Sequence, residues 1–182
     1  MDRESGSWSL AGENIRVSST PMALSILRVR RDDTGIARQL GDAFQLDWPT
    51  RPNTVVDESP RVAWWAPGEW AILQRADAIR STIVAACAGR PSHLSDISAG
   101  HLLWRVSGSA GHTLIARGCS LDTHPAAFPH GACARTLFAQ LPVLLLRSAP
   151  ADAFEIVAEA GYEGYLQAWF ADAVQEPVPP PP

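Results

Sequence analysis

Apolar and polar residues recur along the chain with two periods, one typical of β-strands and one typical of α-helices. Short apolar or alternating runs predict strands at residues 24–30, 61–66, 69–74, 93–98, 101–106, 132–140, 141–147 and 154–158. Apolar residues three and four positions apart predict four helices, from 32 or 33 to about 44, from 77 to 87, from 107 or 109 to 118, and from 162 to 174. This order of elements predicts an α+β sandwich of two ferredoxin-like (split βαβ) lobes.

Capping and turn residues set the predicted ends of these elements. Side chains that can accept a hydrogen bond from a helix N-terminus precede or begin three helices: Asp32 or Asp33, Asp77, and Ser107 or Ser109. Gly118 is predicted to end the third helix in a left-handed conformation. Pro67-Gly68 predicts the tight turn of a hairpin, and Gln140-Leu141-Pro142 predicts the connection between two later strands.

The two ends of the chain differ in composition from the part between them. Residues 1–22 are polar, rich in serine and glycine and without a clear period, which predicts a disordered N-terminal tail. Met22 is then an alternative start of the chain. Residues 176–182 are mostly proline, which predicts an exposed polyproline tail. One α+β domain is therefore expected over residues 23–175.

Charge and composition exclude several classes of function. The net charge is −4 and all 15 basic residues are arginine, so Schiff-base and phosphate-loop lysines are excluded. The arginines are scattered apart from Arg28, Arg30 and Arg31, which predicts no binding of nucleic acid. No apolar run reaches the roughly 18 residues that would span a membrane. The polar start lacks the apolar core of a signal peptide, and the three cysteines form no close pair, which predicts reduced thiols in a cytoplasmic protein.

Two carboxylates are candidates for acid–base chemistry. Asp122 and His124 are two residues apart in the loop predicted over residues 119–131. If this loop folds back, the Asp122 carboxylate would orient the His124 imidazole as a general base. The alternative is that Asp122 caps backbone amides and that His124 makes a surface contact. Asp96 lies beside an apolar strand, and the same two alternatives apply to it. Its carboxylate is either catalytic or a hydrogen-bond acceptor in a neighbouring turn.

Neither a metal site nor a phosphate site is predicted. The spacing of the candidate ligands matches no structural zinc pattern; these residues are His112, His124, His130, Cys119 and Cys133. The glycine-rich segment 107–111 lacks the spacing of a phosphate loop or a nucleophile elbow. We therefore expect neither a catalytic nor a cofactor-binding residue in this chain.

Tryptophan is the strongest remaining signal. The chain has seven tryptophans, and tryptophan is enriched at the centres of protein interfaces. Trp64 and Trp65 are neighbours on one predicted strand, so they are expected on opposite faces of the sheet. Either a helix layer or a partner subunit must then cover the second face.

Several segments together resemble the gamma subunit family of heterotetrameric sarcosine oxidase. They are Trp65-Ala66-Pro67-Gly68-Glu69-Trp70, Asp96-Ile97-Ser98, residues 117–125 (RGCSLDTHP), Phe128-Pro129-His130-Gly131 and Ala134-Arg135-Thr136. Thr123 and Ala66 depart from the family pattern. The resemblance implies a fold like that of aminomethyltransferases and of the N-domain of tRNA-modification GTPases.

The resemblance also implies a function. The chain would be a non-catalytic gamma subunit that stabilises the large subunits, with alpha, beta and delta subunits as partners. The complex would oxidatively demethylate sarcosine to glycine, with hydrogen peroxide and 5,10-methylenetetrahydrofolate as further products. FAD, FMN, NAD, zinc and tetrahydrofolate would all be held by other subunits.

The candidate interface or loop-functional residues are Trp64, Trp65, Trp70, Asp96, Asp122, His124, Phe128 and Arg135. Two alternatives remain open. One is a free-standing folate-dependent aminomethyl- or methyltransferase, with Asp96 or Asp122 as the acid–base residue. The other is a gamma-like subunit of a related N-methyl amino acid oxidase or dehydrogenase. A tRNA-modification scaffold is disfavoured because the chain has no basic patch.

Overall fold

The computed structural model describes residues 7–31, 33, 35–148 and 153–175. The chain divides into two compact units. The central unit is Met22–Ala99, and the flanking unit combines the chain up to Pro21 with the chain from Gly100 onward. The predicted polyproline tail over 176–182 lies outside the described residues.

Eleven strands and four helices form within the described residues. The strands are β1 (Trp8–Ala11), β2 (Arg16–Pro21), β3 (Ser25–Val29), β4 (Val55–Val56), β5 (Val62–Ala66), β6 (Glu69–Ile72), β7 (Ser92–Asp96), β8 (His101–Ser107), β9 (Cys133–Phe138), β10 (Leu141–Ser148) and β11 (Ala153–Glu159). The helices are α1 (Ile36–Phe44), α2 (Ala76–Ala86), α3 (Gly111–Gly118) and α4 (Glu163–Gln175).

The central unit is a ferredoxin-like lobe. Its sheet has the order β4-β5-β6-β3-β7, and every neighbouring pair is antiparallel. The chain runs β3-α1-β5-β6-α2-β7, which is the split βαβ arrangement with β4 added at one edge. Buried residues of both helices and of the strands form one hydrophobic cluster, which includes Leu27, Val62, Trp70, Ile72, Ile36, Leu40, Ile79 and Ile83.

The flanking unit has the same arrangement in a different chain order. Its sheet order is β1-β2-β8-β11-β10-β9. Since β8 and β10 are both antiparallel to β11, they are parallel to each other, and α3 connects them with β9 inserted on the way. The strand on the other side of β8 is β2, from the beginning of the chain. The prediction of an α+β fold with two split βαβ lobes is confirmed.

The prediction of a disordered tail over residues 1–22 is wrong for residues 8–21. Trp8–Ala11 pairs with β2, and β2 pairs with β8 along six residues. Val17 is fully buried, and the Trp8 ring lies 5.5 Å from the Trp104 ring. The segment is polar because its strands are short and half exposed. Hydrogen bonds with β8 and a few inward-facing side chains stabilise these strands. The hydrophobicity of the segment itself therefore did not predict them.

Asp77 accepts a hydrogen bond from the Ala78 amide at 2.9 Å in the first turn of α2, but the predicted caps of α1 and α3 are wrong. α1, α2 and α3 begin after Gly35, Arg75 and Ala110, and none of these residues caps through its side chain. Asp33 instead forms an ion pair with Arg90, while Asp32 lies outside the described residues. Gly118 stays helical, and the residue that follows it is extended. An added Cβ at Gly118 would lie 2.7 Å from the Phe138 ring, so this glycine makes room for a core aromatic.

The turn between β9 and β10 lies one residue earlier than predicted. Ala139 and Gln140 have φ values of 48° and 68°, a left-handed pair that matches the twist of a two-residue hairpin. The Ala139 amide donates to the Gly118 carbonyl oxygen at 2.8 Å, and its carbonyl accepts from the Tyr165 hydroxyl at 3.0 Å. These two tertiary hydrogen bonds hold the turn at an alanine, where local sequence gives no signal.

Candidate interaction surfaces

The loop between α3 and β9 is held from inside by a buried arginine. Arg147, on β10, is only 4% exposed, and its guanidinium lies over the Phe154 ring at 5.4 Å from the ring centroid. Its Nη1 atom donates to the carbonyl oxygens of Thr123 and Phe128 at 3.4 and 2.9 Å. A buried cation is costly unless it is hydrogen-bonded. The fold therefore uses this charge to fix the main chain of the loop.

Two loop side chains add further anchors. The Thr123 hydroxyl is buried and lies 3.2 Å from Nε2 of His112 on α3. Phe128 is buried in the hydrophobic cluster of the flanking unit. Its ring is packed against the core, and its predicted role as an interface or loop-functional residue stays a prediction.

The outward part of the loop does not form a general-base pair. The Asp122 carboxylate accepts a hydrogen bond from the His124 main-chain amide at 2.9 Å. Nδ1 of His124 accepts from the Ala126 amide at 3.2 Å. Both side chains are exposed, and both of these bonds go to backbone amides. The structure thus favours the alternative in which Asp122 caps a tight loop, and it leaves His124 displayed at the surface.

Asp96 joins two segments of the central unit. Its Oδ2 atom accepts from the amide of Ala76, the first residue of α2, at 3.1 Å, and its Oδ1 atom accepts from the Ser98 amide at 3.0 Å. Hydrogen bonds from the Ser98 side chain and amide and from the Ala76 amide, together with the charge of Arg75, lower the pKa of Asp96 to about 2. Such a carboxylate is a poor proton acceptor at neutral pH, so its geometry indicates a helix cap.

Replacement of Asp96 with asparagine should make the stability of the chain less sensitive to acid. Because the pKa of Asp96 is lowered on folding, its contribution is present above the unfolded pKa of about 4 and is lost as the pH falls towards 2. Urea unfolding at pH 7 and at pH 3 measures this difference, with Asp77→Asn as a matched control in the first turn of α2. An equal loss of stability at pH 3 in wild type and Asp96→Asn would contradict this role.

The three candidate tryptophans have different environments. Trp70 is buried, its Nε1 donates to the Pro49 carbonyl oxygen at 2.8 Å, and its ring meets Trp48 edge-on at 5.7 Å. Trp70 is thus a core residue of the central unit, and its predicted interface role stays a prediction. Trp64 and Trp65 are each half-buried, and the register between β5 and β6 shifts at Trp65. They stay predicted interface residues.

Arg135 also remains a predicted interface residue. It is exposed on β9, which lies at the edge of the six-stranded sheet. On the same strand, Leu137 is 55% exposed, which is unusual for a large apolar side chain. An edge strand can pair with another chain through its backbone, and an exposed apolar side chain such as Leu137 favours this pairing, whereas charged side chains oppose it.

The central unit also contains a pocket of about 370 Å³ that was not predicted from the sequence. It lies beside the β5–β6 turn, and its lining includes Val29, Arg30, Arg31, Trp64, Pro67 and Trp70. Two sequence features could have indicated this pocket. They are the cluster of arginines at the end of β3 and the Pro67-Gly68 turn, which lies close to that cluster in the fold. Local sequence does not reveal that these two features are close in space, because their proximity depends on the pairing of β3 with β6.

The described residues offer neither a metal site nor a membrane-spanning helix. Nowhere in those residues do three or more histidine, cysteine, aspartate or glutamate side chains come together in a group suited to a metal ion. The helices within them are too short or too polar to cross a membrane. Cys87, Cys119 and Cys133 are all buried and form no disulfide with one another.

The chain also matches the model of a known protein family. The model of the sarcosine oxidase, gamma subunit family matches residues 28–176. The chain belongs to the sarcosine oxidase gamma subunit family. This match begins at the end of β3 and extends through α4, so it includes both the loop held by Arg147 and the β5–β6 hairpin. The resemblance seen in the short motifs is confirmed.

Curated relatives in the gamma subunit family support the match. The chain is 27% identical over 144 residues to sarcosine oxidase subunit gamma of an Arthrobacter species, covering 79% of this chain and 66% of that protein. It is 30% identical over 120 residues to the corresponding subunit of Corynebacterium sp. strain P-1, covering 65% and 59%. The chain thus spans roughly three fifths to two thirds of the length of these two relatives.

Solved structures show the same fold. A chain of the heterotetrameric sarcosine oxidase from Corynebacterium sp. U-96 superposes with a TM-score of 0.79 at 22% identity, covering 94% of this chain and 91% of that one. Aminomethyltransferase T of the glycine cleavage system from Bartonella henselae gives a TM-score of 0.60 at 14% identity, covering 84% and 44%. The prediction of an aminomethyltransferase-like fold is confirmed.

Proposed function

We propose that this chain is the gamma subunit of a heterotetrameric sarcosine oxidase. Its role is to dock on the larger subunits and stabilise them, while the chemistry takes place on other chains. The observation that carries this proposal is the family match over residues 28–176. The assembled enzyme would oxidatively demethylate sarcosine to glycine, with hydrogen peroxide and 5,10-methylenetetrahydrofolate as the other products.

The side chains of this subunit suit a docking role better than a catalytic one. Both candidate acid–base carboxylates, Asp96 and Asp122, accept hydrogen bonds from main-chain amides. The sequence has no glycine-rich dinucleotide motif and no lysine. We therefore assign FAD, FMN, NAD, zinc and tetrahydrofolate to the alpha, beta and delta subunits.

We also propose that the subunit works in the cytoplasm. Its three cysteines are unpaired with one another, as is usual for proteins of a reducing compartment. Burial is the main cause that raises the pKa of the Cys87 thiol, so this group stays protonated and unreactive. Such thiols act as small hydrophobic core residues.

Co-expression with the neighbouring subunits tests the proposal. The chain should elute with them as one complex in gel filtration, and the complex should oxidise sarcosine, whereas the isolated chain should bind no flavin and oxidise nothing. Omission of the chain should lower the yield or the melting temperature of the remaining complex. An inert monomer that elutes beside fully active partners would contradict the proposal, and a preference for another N-methyl amino acid would redirect it to a related oxidase.

A folate-dependent aminomethyltransferase remains the second candidate because its fold is similar. The chain covers only 44% of aminomethyltransferase T, so more than half of that protein has no counterpart here. Titration of the isolated chain with tetrahydrofolate, followed by tryptophan fluorescence, separates the two candidates. Saturable binding by this chain alone would favour the transferase, whereas a docking subunit should show none.

A further inference from the structure

The pocket beside the β5–β6 turn combines an aromatic wall with arginines at its mouth. Trp64, Trp70 and Pro67 provide apolar surface, and Arg30 and Arg31 line the same opening. Its volume of about 370 Å³ lies in the range of pockets that hold a small ligand. A space of this size also accommodates one or two inserted side chains.

The walls of this pocket are held in place by the backbone. The Val29 amide donates to the Gly68 carbonyl oxygen at 2.8 Å, which ties the end of β3 to the turn. Gly68 has a φ of +74°, and an added Cβ would lie 2.9 Å from the Val29 oxygen, so the turn requires glycine. Trp70 is fixed by its bond to Pro49. A preformed pocket binds without a large cost of ordering.

The residues that line the pocket include two arginines, Arg30 and Arg31. Asp33, the carboxylate among its lining residues, is paired with Arg90. Glu69, on the adjoining strand, is paired with Arg28 at 3.3 Å. Arg31 is exposed, and within the described residues no carboxylate forms an ion pair with it. The pocket thus offers a cation beside an apolar wall, which complements an acidic segment that carries an apolar side chain.

We infer that this pocket receives an acidic segment of a partner subunit, with one apolar or aromatic side chain inserted against Trp64 and a neighbouring carboxylate paired with Arg31. The inference rests on the proposed function and adds the surface and the chemistry of the contact. Tryptophan and arginine are the residue types that most often dominate binding energy at interfaces. The half-buried Trp64 has exposed area left to lose on binding. The family match includes this pocket, but nothing in it assigns the pocket a partner.

Two variants of the co-expressed complex test the inference. Arg31→Glu reverses the charge at the mouth, and Trp64→Ala removes one apolar wall; each should weaken the association of this chain with its partners about tenfold or more. Arg80→Glu is the matched control, because Arg80 is exposed on α2 and does not line the pocket. It should change the affinity less than about twofold, as expected for a charge outside an interface. The Arg31 contact should also weaken with increasing salt.

The outcomes are distinguishable. If the wild-type chain does not join the complex, the proposed function and this inference both fail. If it joins and both pocket variants bind like Arg80→Glu, only the inference fails, provided that circular dichroism shows all variants folded. If the isolated chain forms a dimer that Arg31→Glu dissociates, the occupant is a second copy and the inference is overturned. Restored binding of Arg31→Glu by an acidic-to-arginine change in the partner would identify the paired carboxylate.

Discussion

Arg147→Leu should lower the free energy of unfolding by about 3 kcal/mol, because two buried carbonyl oxygens then lose their charged donor. These oxygens belong to Thr123 and Phe128, at the two inner points of the loop over residues 119–131. Leucine fills part of the arginine volume but donates no hydrogen bond. The loop should therefore loosen even where the rest of the flanking unit stays folded.

Urea unfolding measures the global part of this effect, and hydrogen exchange by mass spectrometry measures the local part. Amides of residues 121–130 should exchange faster in Arg147→Leu than in wild type under conditions where β8 and β11 remain protected. Arg16→Leu is the matched control, since Arg16 is an exposed arginine on a strand of the same sheet. Unchanged exchange in the loop, together with a loss of stability below about 1 kcal/mol, would show that this guanidinium does not hold it.

Gly108→Ala should destabilise the flanking unit by about 3 kcal/mol through steric overlap and backbone strain. Gly108 has a φ of +108°, and an added Cβ would lie 2.3 Å from the main-chain oxygen of Asn14. The same oxygen accepts a hydrogen bond from the Ala110 amide at 3.1 Å. The substitution should therefore push the connection between β1 and β2 away from the start of α3.

Two measurements distinguish this displacement from general unfolding. The near-ultraviolet circular dichroism signal should decrease, because the Trp8–Trp104 contact depends on the position of β1. Amide exchange over residues 8–21 should increase before that of β10 does. Gly161→Ala, at a glycine with nothing within 4 Å of its added Cβ, should leave both signals unchanged. If Gly108→Ala is as stable as wild type, the expected overlap between the added Cβ and the Asn14 main-chain oxygen does not occur.

Elements whose signal is local were predicted well. α1 spans Ile36–Phe44, because Ile36 and Leu40 repeat at the helical spacing and both are buried. The hairpin around Pro67-Gly68 forms with strands close to those predicted, because the turn needs a glycine at that position. In these cases the residues that decide the structure are neighbours in sequence.

Features that depend on distant residues could not be predicted. The cap of α2 comes from Asp96, whose carboxylate accepts from the Ala76 amide 20 residues earlier in the chain. The role of Arg147 depends on a loop 19 and 24 residues earlier. Trp70 and Phe128 were predicted at an interface because an aromatic side chain gives the same sequence signal in a core and at a contact. Only the packing around each ring separates these cases.

The position of β2 beside β8 has a consequence for how the chain folds during synthesis. β2 leaves the ribosome before the whole of Met22–Ala99, whereas its pairing partner β8 follows that segment. The central unit is continuous in sequence and has its strands complete first, while β1 and β2 must wait for a sheet to join. Pairing β2 with β8 across this long separation in sequence costs conformational entropy, and the flanking unit can do so only after the central unit has been synthesised. Until β8 has been synthesised, the nascent β1–β2 segment therefore lacks its partner strand and is open to capture by chaperones or proteases.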